Sequence, residues 1–227
     1  MQELSLIIFV FNEEQNLAPV VEATISFLSK TVGRFELILV DDGSTDKTYS
    51  LMQTLAQNHR CVRVLHHTTN QGIGAALRDG YAAARYSHVT FLPSDGQIAA
   101  PELAKVFAMA TPDVDVVSSY YRRRTDTLLR RLVSRSLRLL LLCLFGPMPR
   151  LEGIYLFKRS LLDRFPLLSD SFVLNFEFII RACRAKARFA VVEIECAPRM
   201  SGQSKVFSWR KIWFVFKEVL RLRCQLR

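Results

Sequence analysis

Cysteine is scarce in this chain, and its few copies are scattered. The five cysteines lie far apart, at positions 61, 143, 183, 196 and 224. Disulfide-stabilised secreted domains carry an even set of cysteines, and structural zinc sites need Cys or His pairs a few residues apart. The pattern therefore argues against a disulfide scaffold and a zinc site, and it predicts reduced thiols in a cytosolic setting.

Long apolar runs, repeats and targeting signals are also missing. The seven apolar residues at 139–145 are too few to cross a bilayer, which needs about 20. The first residues enter a strand pattern without a basic n-region or a cleavage site, so we expect no secretory signal. No helix-turn-helix, zinc-finger or RNA-stacking signature is present, so we expect no nucleic-acid partner. A chain of 227 residues fits one domain with a sizeable core.

Charge is distributed unevenly along the chain. Up to Ser118 there are 8 basic and 13 acidic residues, and from Ser119 onward there are 23 basic and 8 acidic residues. An acidic first half and a basic second half favour two differently charged ligands or surfaces.

The first half alternates between strand and helix patterns. Strand patterns cover 4–11, 35–40, 62–66 and 89–92, and helical patterns cover 14–29, 45–58 and 72–86. This alternation predicts an α/β fold with a Rossmann-like, mostly parallel sheet flanked by helices. Open sheets of this kind bind ligands at the carboxyl edge of their strands.

Three polar clusters follow predicted strands and should meet at that edge. They are Asn-Glu-Glu at 12–14, Asp-Asp-Gly-Ser-Thr-Asp at 41–46 and Ser-Asp-Gly-Gln at 94–97. Carboxylates gathered there suit a divalent cation and a phosphorylated, hydroxyl-rich ligand. Alone, 41–46 is more typical of a structural turn than of a ligand site, because Gly43 permits positive φ and Ser44 can cap the next helix.

In their order, these motifs resemble the nucleotide-sugar-binding half of family 2 glycosyltransferases, which have the GT-A fold and include the polyprenyl (dolichol) phosphate hexose synthases. The resemblance runs from Ser5 to about Arg223 and includes Asn-Gln-Gly-Ile-Gly-Ala-Ala-Leu-Arg at 70–78. It implies one GT-A domain over 1–227, with a nucleotide-sugar-binding half (1–118), an acceptor-binding half (119–206) and a basic amphipathic helix (207–227). It also implies an inverting transfer of hexose from a GDP- or UDP-sugar to a polyprenyl phosphate.

The resemblance assigns the donor-site residues one by one. The nucleotide-sugar contacts would be Phe9, Phe11, Glu13, Asp42, Ser44, Arg78 and Lys205. The family's Asp-x-Asp motif holds Mg²⁺ or Mn²⁺, and here it reads Pro93-Ser94-Asp95, which leaves Asp95 and Gln97 as metal ligands.

The expected catalytic residues are Asp95, Glu177 and Arg199, and Arg199 with Lys205 would offset leaving-group charge. A turn role for Asp95 and a helix-capping role for Glu177 remain open. So does a merely mobile basic loop at 199–205.

The acceptor site is expected in the basic second half. On a helix, Arg130, Ser134 and Arg138 share one face, which suits either a phosphate or a solvated basic surface. The resemblance selects Arg122, Arg130 and Ser134 as contacts to the lipid phosphate.

The same half carries candidate membrane contacts. We expect 139–145 and the apolar stripe of 207–227 to lie in a membrane interface, with a core helix as the alternative for 139–145. The stripe consists of Ile212, Val215, Phe216, Val219, Leu222 and Leu226. The expected location is peripheral, on the cytoplasmic face of a membrane, with a separate membrane subunit or a second copy of the chain as further partners.

Two other functions are compatible with the sequence. Transfer to a lipid or saccharide hydroxyl would require a carboxylate base such as Glu177 or Asp95. The departures at Pro93 and Leu151 also fit a catalytically weak GT-A scaffold that holds a nucleotide sugar.

Overall fold

The structure, a computed structural model, describes residues 1–122, 128–150, 152–197 and 209–226. Within them the strands are β1 Glu3–Val10, β2 Arg34–Asp41, β3 Val62–His66, β4 His88–Pro93, β5 Val116–Tyr121, β6 Tyr155–Lys158 and β7 Phe189–Ile194. The α-helices are α1 Leu17–Thr31, α2 Thr48–Asn58, α3 Ile73–Ala83, α4 Glu102–Ala108, α5 Leu128–Phe145, α6 Val173–Arg184 and α7 Trp209–Gln225. The predicted strands and helices of the first half are confirmed, with small shifts at their ends.

The described strands form one sheet in the order β3-β2-β1-β4-β6-β5-β7. Strand β1 pairs in parallel with β2 and β4, and β2 pairs in parallel with β3. Strand β6 runs antiparallel to both β4 and β5, and β5 is parallel to β7. This confirms the mostly parallel sheet. Because β6 pairs with β4, the second half of the chain contributes a strand to the same sheet as the first half.

The central strands are covered on both faces, as expected for a parallel sheet with helical crossovers. At the amino edge, buried Ser5 donates to the Glu36 carboxylate at 2.7 Å, which also accepts from Arg63 at 2.6 Å and from the Arg85 backbone N–H at 2.8 Å. Burial alone would raise the pKa of Glu36, but these hydrogen bonds outweigh burial and lower it. The network satisfies the polar atoms at the edge opposite the polar clusters.

A second, smaller core joins α5, α6 and α7. Its buried members are Leu141, Val173, Ile180, Val219 and Leu222. Four members of the stripe predicted to face lipid on the last helix, Val215, Val219, Leu222 and Leu226, therefore pack inside the chain, which corrects the prediction for them. The reason is that the apolar face of α6 needs covering, and α5 and α7 supply the cover.

The outward faces of these helices keep other apolar side chains exposed. They include Leu139 and Leu142 on α5 and Trp213, Phe214 and Leu220 on α7. In the part of the chain that the structure describes, no helix has both the length and the apolar composition to cross a bilayer.

Candidate functional site

The polar clusters meet at the carboxyl edge of the sheet, as predicted. The register pairs Phe9 with Pro93 across β1 and β4, so the end of β4 adjoins the end of β1. Hydrogen bonds join the first two clusters: the Asn12 N–H donates to Ser44 Oγ at 2.9 Å, and the Thr45 N–H donates to Asn12 Oδ1 at 2.8 Å. The edge is thus one connected surface of hydroxyl, amide and carboxylate groups.

Asp42 holds the loop that leads from β3 into α3. Its two carboxylate oxygens accept the N–H groups of Gln71 at 2.8 Å and Gly72 at 2.9 Å. The Oδ1 atom also lies 2.9 Å from Nδ1 of His67, whose Nε2 is 3.0 Å from Asp79 Oδ2. Asp42 therefore shapes this loop, in addition to the nucleotide contact that the resemblance predicts for it.

Two histidines at the end of β3, His66 and His67, were not predicted from the sequence as part of the site. His66 Nδ1 lies 2.7 Å from Asp41 Oδ2, and its ring stacks on Tyr49 with centroids 4.0 Å apart. The sequence carried a signal for the contact between His66 and Asp41, because β3 ends at His66 on the same edge where β2 ends at Asp41. The strand register pairs these two residues. Each of the two adjacent aspartates thus contacts one of two adjacent histidines.

The start of α3 packs closely on a loop from the second half of the chain. A Cβ on Gly74 would lie 2.3 Å from Ser171 O and 2.4 Å from Asp170 C. The N–H groups of Gly74 and Ala75 donate to Asp170 O at 3.0 and 3.2 Å. Arg78, predicted as a nucleotide contact, forms an ion pair with the Asp170 carboxylate and belongs to this junction.

Asp95 lies just past β4 and is only 8% exposed. Its Oδ1 accepts the Gln97 N–H at 3.1 Å, so it also stabilises a turn. The Gln97 side-chain amide donates to Ala197 O at 3.5 Å, and the Gln97 carbonyl accepts the Ala197 N–H at 2.8 Å. Gln97 thereby links this turn to the segment after β7.

The protein groups at this turn offer few ligands for a cation. Among the described residues, no three Asp, Glu, His or Cys side chains are placed together to hold a metal ion. With Pro93 in the first motif position, Asp95 supplies one carboxylate. This set fits a Mg²⁺ or Mn²⁺ held jointly by Asp95 and by the oxygens of a bound diphosphate, an arrangement that is common for Mg²⁺.

Glu177 lies inside α6 with 0% exposure. Its carboxylate accepts the N–H groups of Leu168 at 3.1 Å and Ser169 at 2.8 Å, and the Arg181 Nε–H at 2.8 Å. This placement favours a structural role, because the carboxylate is fully engaged with protein groups, but the N–H groups that it binds belong to the loop before α6, so Glu177 does not cap the helix as the alternative prediction had it. The catalytic role stays a prediction.

The two aromatic residues of the first cluster occupy different environments. Phe9 is partly buried, and its ring centroid lies 6.2 Å from that of Phe91, so it packs on the core. Phe11 is exposed at the end of β1. Of the two, Phe11 is the more exposed.

The predicted acceptor residues are described unevenly. Arg122 is exposed after β5, with Nε 3.6 Å from Glu193 and Nη1 3.8 Å from Glu195, and exposed contacts of this length are weak. Ser134 is exposed on α5, where Arg130 also lies, although the Arg130 side chain is outside the described part. Arg199, Lys205 and Leu151 lie outside the described residues.

Comparison with known proteins identifies the family. The model of Glycosyl transferase family 2 matches residues 5–181. The chain belongs to glycosyl transferase family 2. It is 29% identical over 220 residues to undecaprenyl-phosphate 4-deoxy-4-formamido-L-arabinose transferase of Pseudomonas fluorescens, a match that covers 95% of this chain and 64% of that protein. It is 36% identical over 111 residues to dolichyl-phosphate beta-glucosyltransferase of Drosophila melanogaster, covering 46% of this chain and 34% of that protein.

The chain spans less than two thirds of the length of these two curated relatives. A similar solved structure is glucosyl-3-phosphoglycerate synthase of Mycobacterium tuberculosis in complex with Mn²⁺, UDP-glucose and phosphoglyceric acid. The TM-score is 0.72 at 22% identity, and the match covers 98% of this chain and 80% of that one. This likeness confirms the predicted GT-A fold.

Proposed function

We propose that this family 2 protein is an inverting glycosyltransferase that moves a hexose from a nucleotide diphosphate sugar to a polyprenyl phosphate. The observation that carries the proposal is the meeting of the Asp95 turn and the Asp41–Asp42 turn at one edge of a family 2 sheet. Relatives that act, by name, on undecaprenyl phosphate and dolichyl phosphate support the choice of acceptor.

The reaction would be a direct displacement at the anomeric carbon. An oxygen of the acceptor phosphate forms the new bond to carbon while the bond to the nucleoside diphosphate breaks, and the electron pair leaves on the diphosphate oxygen. The anomeric configuration is thereby inverted. The acceptor oxygen is already anionic, so catalysis consists mainly of positioning and charge neutralisation.

Asp95 would contribute by holding the donor at the sheet edge. A bound Mg²⁺ or Mn²⁺ would supply positive charge to the diphosphate oxygens. Arg199 and Lys205 are proposed to add further positive charge, and Phe11 is proposed to stack on the base. Phe9, Glu13, Asp42, Ser44 and Arg78 would support the donor site largely through the loops they hold.

The buried position of Glu177 supports a phosphate acceptor over a hydroxyl acceptor. A hydroxyl would need a base that can reach it and take its proton. Glu177, one of the two carboxylates predicted for that task, is fully engaged with two backbone N–H groups and Arg181.

We propose a membrane surface as the place of reaction. Arg122, Arg130 and Ser134 would bind the acceptor phosphate, and the exposed apolar side chains of α5 and α7 would contact lipid at the cytoplasmic face. Trp213 and Lys217 suit such a boundary, since the ammonium group lies 5.5 Å from the indole ring. A separate membrane subunit or a second copy of the chain would fit the same surface.

The proposal is tested by calorimetry with UDP- and GDP-sugars, with and without Mn²⁺, followed by transfer to a short polyprenyl phosphate. Wild type should bind one donor with metal and form product. Asp95→Ala should lose metal-dependent donor affinity by about 10²-fold, because its carboxylate is the proposed ligand.

Asp113→Ala is the matched control, because it removes an exposed carboxylate from the turn before β5, at the opposite edge of the sheet. Full metal-dependent binding by Asp95→Ala would contradict the site assignment. Donor binding without transfer would instead favour another acceptor or the scaffold function that Pro93 suggests.

A further inference from the structure

The C-terminal helix carries a single acidic residue. After Glu195, every charged residue except Glu218 is basic. The Glu218 carboxylate accepts a hydrogen bond from the Ser171 hydroxyl, in the loop that precedes α6. An ionised acceptor makes this a strong type of hydrogen bond. The one negative charge of a basic helix is thus used to bind a loop of the second half.

Ser171 connects α7 to two further elements. Its Oγ accepts the Val173 N–H at 3.1 Å, which helps fix the start of α6. The preceding carbonyl, Asp170 O, accepts the N–H groups of Gly74 and Ala75 at the start of α3. We call Glu218, Ser171 and Asp170 the clasp.

The backbone of Asp170 and Ser171 in the clasp is packed too closely against α3 to shift toward it. Gly74 is so close to the backbone of Asp170 and Ser171 that even a methyl group would overlap them. Arg78 adds an ion pair to the Asp170 carboxylate. The Glu177 carboxylate accepts hydrogen bonds from the N–H groups of Leu168 and Ser169 in the same loop. A displacement of this loop would therefore move the first turn of α3 with it.

The first turn of α3 leads directly into the loop held by Asp42. The N–H groups of Gln71 and Gly72 bind the two Asp42 oxygens, at 2.8 and 2.9 Å. Hydrogen bonds and adjacent backbone therefore form a continuous connection from Glu218 on α7 to Asp42 at the carboxyl edge of the sheet.

We propose that Glu218 is a positioning residue for the donor site: through the clasp, α7 fixes the loop at 70–75 and so sets the affinity for the nucleotide sugar. The inference rests on the proposed function, because it takes that edge as the place where the donor binds. Glu218 itself would touch neither substrate.

The experiment compares donor affinity in wild type, Glu218→Ala, Glu218→Gln, Ser171→Ala and the double alanine variant. Each single alanine variant should weaken donor binding by about three- to tenfold, and the double variant should be no weaker than Ser171→Ala, because that change already removes the hydrogen bond to Glu218. Glu218→Gln keeps an oxygen acceptor and should recover most of the affinity. The KM for the donor should rise while kcat and the KM for the acceptor stay near wild type.

Gln225→Ala is the matched control, because it removes an exposed polar side chain from the same helix. Thermal unfolding of every variant separates a change in stability from a change in affinity. A purely structural role would lower Tm while leaving the donor Kd unchanged well below Tm, and that result would overturn the inference.

The two proposals fail in different ways. If wild type binds no nucleotide sugar, the proposed function is wrong and this inference falls with it. If wild type binds a donor and Glu218→Ala binds it equally well, only the role of Glu218 is wrong. If Glu218→Ala does not fold, Ser171→Ala still decides, since a donor affinity equal to that of wild type would overturn the coupling.

Discussion

Two buried carboxylates, Asp42 and Glu177, each bind two backbone N–H groups of a loop. Burial of an ionised carboxylate is costly unless hydrogen bonds replace its water. Here the backbone N–H groups of a loop take the place of that water, so each carboxylate stabilises one loop conformation. At the residue scale, the same side chains that resemble ligand contacts are also supports of the fold.

Glu177→Gln separates a structural role from a catalytic one. The amide retains one acceptor oxygen but turns an NH₂ group toward backbone N–H donors, so we expect a loss of about 1–3 kcal/mol in the free energy of unfolding. The measurement is urea unfolding together with the transfer rate per folded molecule.

A structural role leaves that rate close to wild type, whereas loss of a general base would lower it by about 10²–10⁴-fold. Asp163→Asn, an exposed change in the segment between β6 and α6, serves as the control for both readouts. A large loss of rate without loss of stability would restore the catalytic assignment of Glu177.

Helix α3 is the element through which the two halves of the site meet. It begins at the loop held by Asp42, its first turn donates to Asp170, and its later residues pack against the sheet. One face of the helix thus contacts the second half of the chain, while the other contacts β1 and β2. Glycine at two positions permits both contacts, because a side chain would keep the backbones apart.

Gly74→Ala tests the first of these contacts. The added methyl group would meet the Ser171 and Asp170 backbone, which cannot rotate away, so we expect a loss of about 1–3 kcal/mol in stability and weaker donor binding. Chemical unfolding and calorimetry with the donor give the two values.

Gly80→Ala is the control on the same helix. Its methyl group would meet the Ile7 and Val40 side chains on the sheet side, at 2.7 and 3.3 Å. It should lower stability while leaving donor affinity nearly unchanged. Equal donor affinities for Gly74→Ala and wild type would show that the junction does not shape the donor site.

At the scale of the whole molecule, charge and apolar surface divide between the two halves. The acidic first half supplies the carboxyl edge, whereas the basic second half supplies α5 and α7, whose inner faces share a core with α6. Trp213 is 59% exposed and Phe214 is 51% exposed, so apolar surface remains available outside that core. Exposed basic residues such as Arg221 lie on the same helix as these two rings.

The combined change Trp213→Ser and Phe214→Ser tests this surface. Each ring would lose burial in the lipid interface, so binding to vesicles of phosphatidylglycerol and phosphatidylcholine should weaken by about tenfold or more, as measured by co-sedimentation. Wild-type binding should also fall with salt and with removal of the anionic lipid, because basic side chains contribute about 1 kcal/mol each near such a surface.

Met109→Ser is the control, because Met109 is also exposed, at 39%, but lies after α4 in the first half. Its vesicle binding should match wild type. Undiminished binding of the Trp213 and Phe214 double variant would show that the lipid contact lies elsewhere.

The sequence alone determined the architecture of the first half and the family. Strand and helix periodicities are local, so the segments from β1 to β4 could be predicted within a few residues, and the order of the polar motifs indicated family 2. The meeting of those motifs at one edge followed from parallel strand direction.

Only the tertiary structure decided which groups each of these side chains contacts. Glu177 binds the N–H groups of Leu168 and Ser169, His67 contacts Asp42 and Asp79, and Val219 and Leu222 of the α7 stripe pack against α5 and α6. A helical pattern specifies that a stripe is apolar, but not whether protein or lipid covers it. That choice depends on contacts between elements far apart in the chain, which local periodicity does not encode.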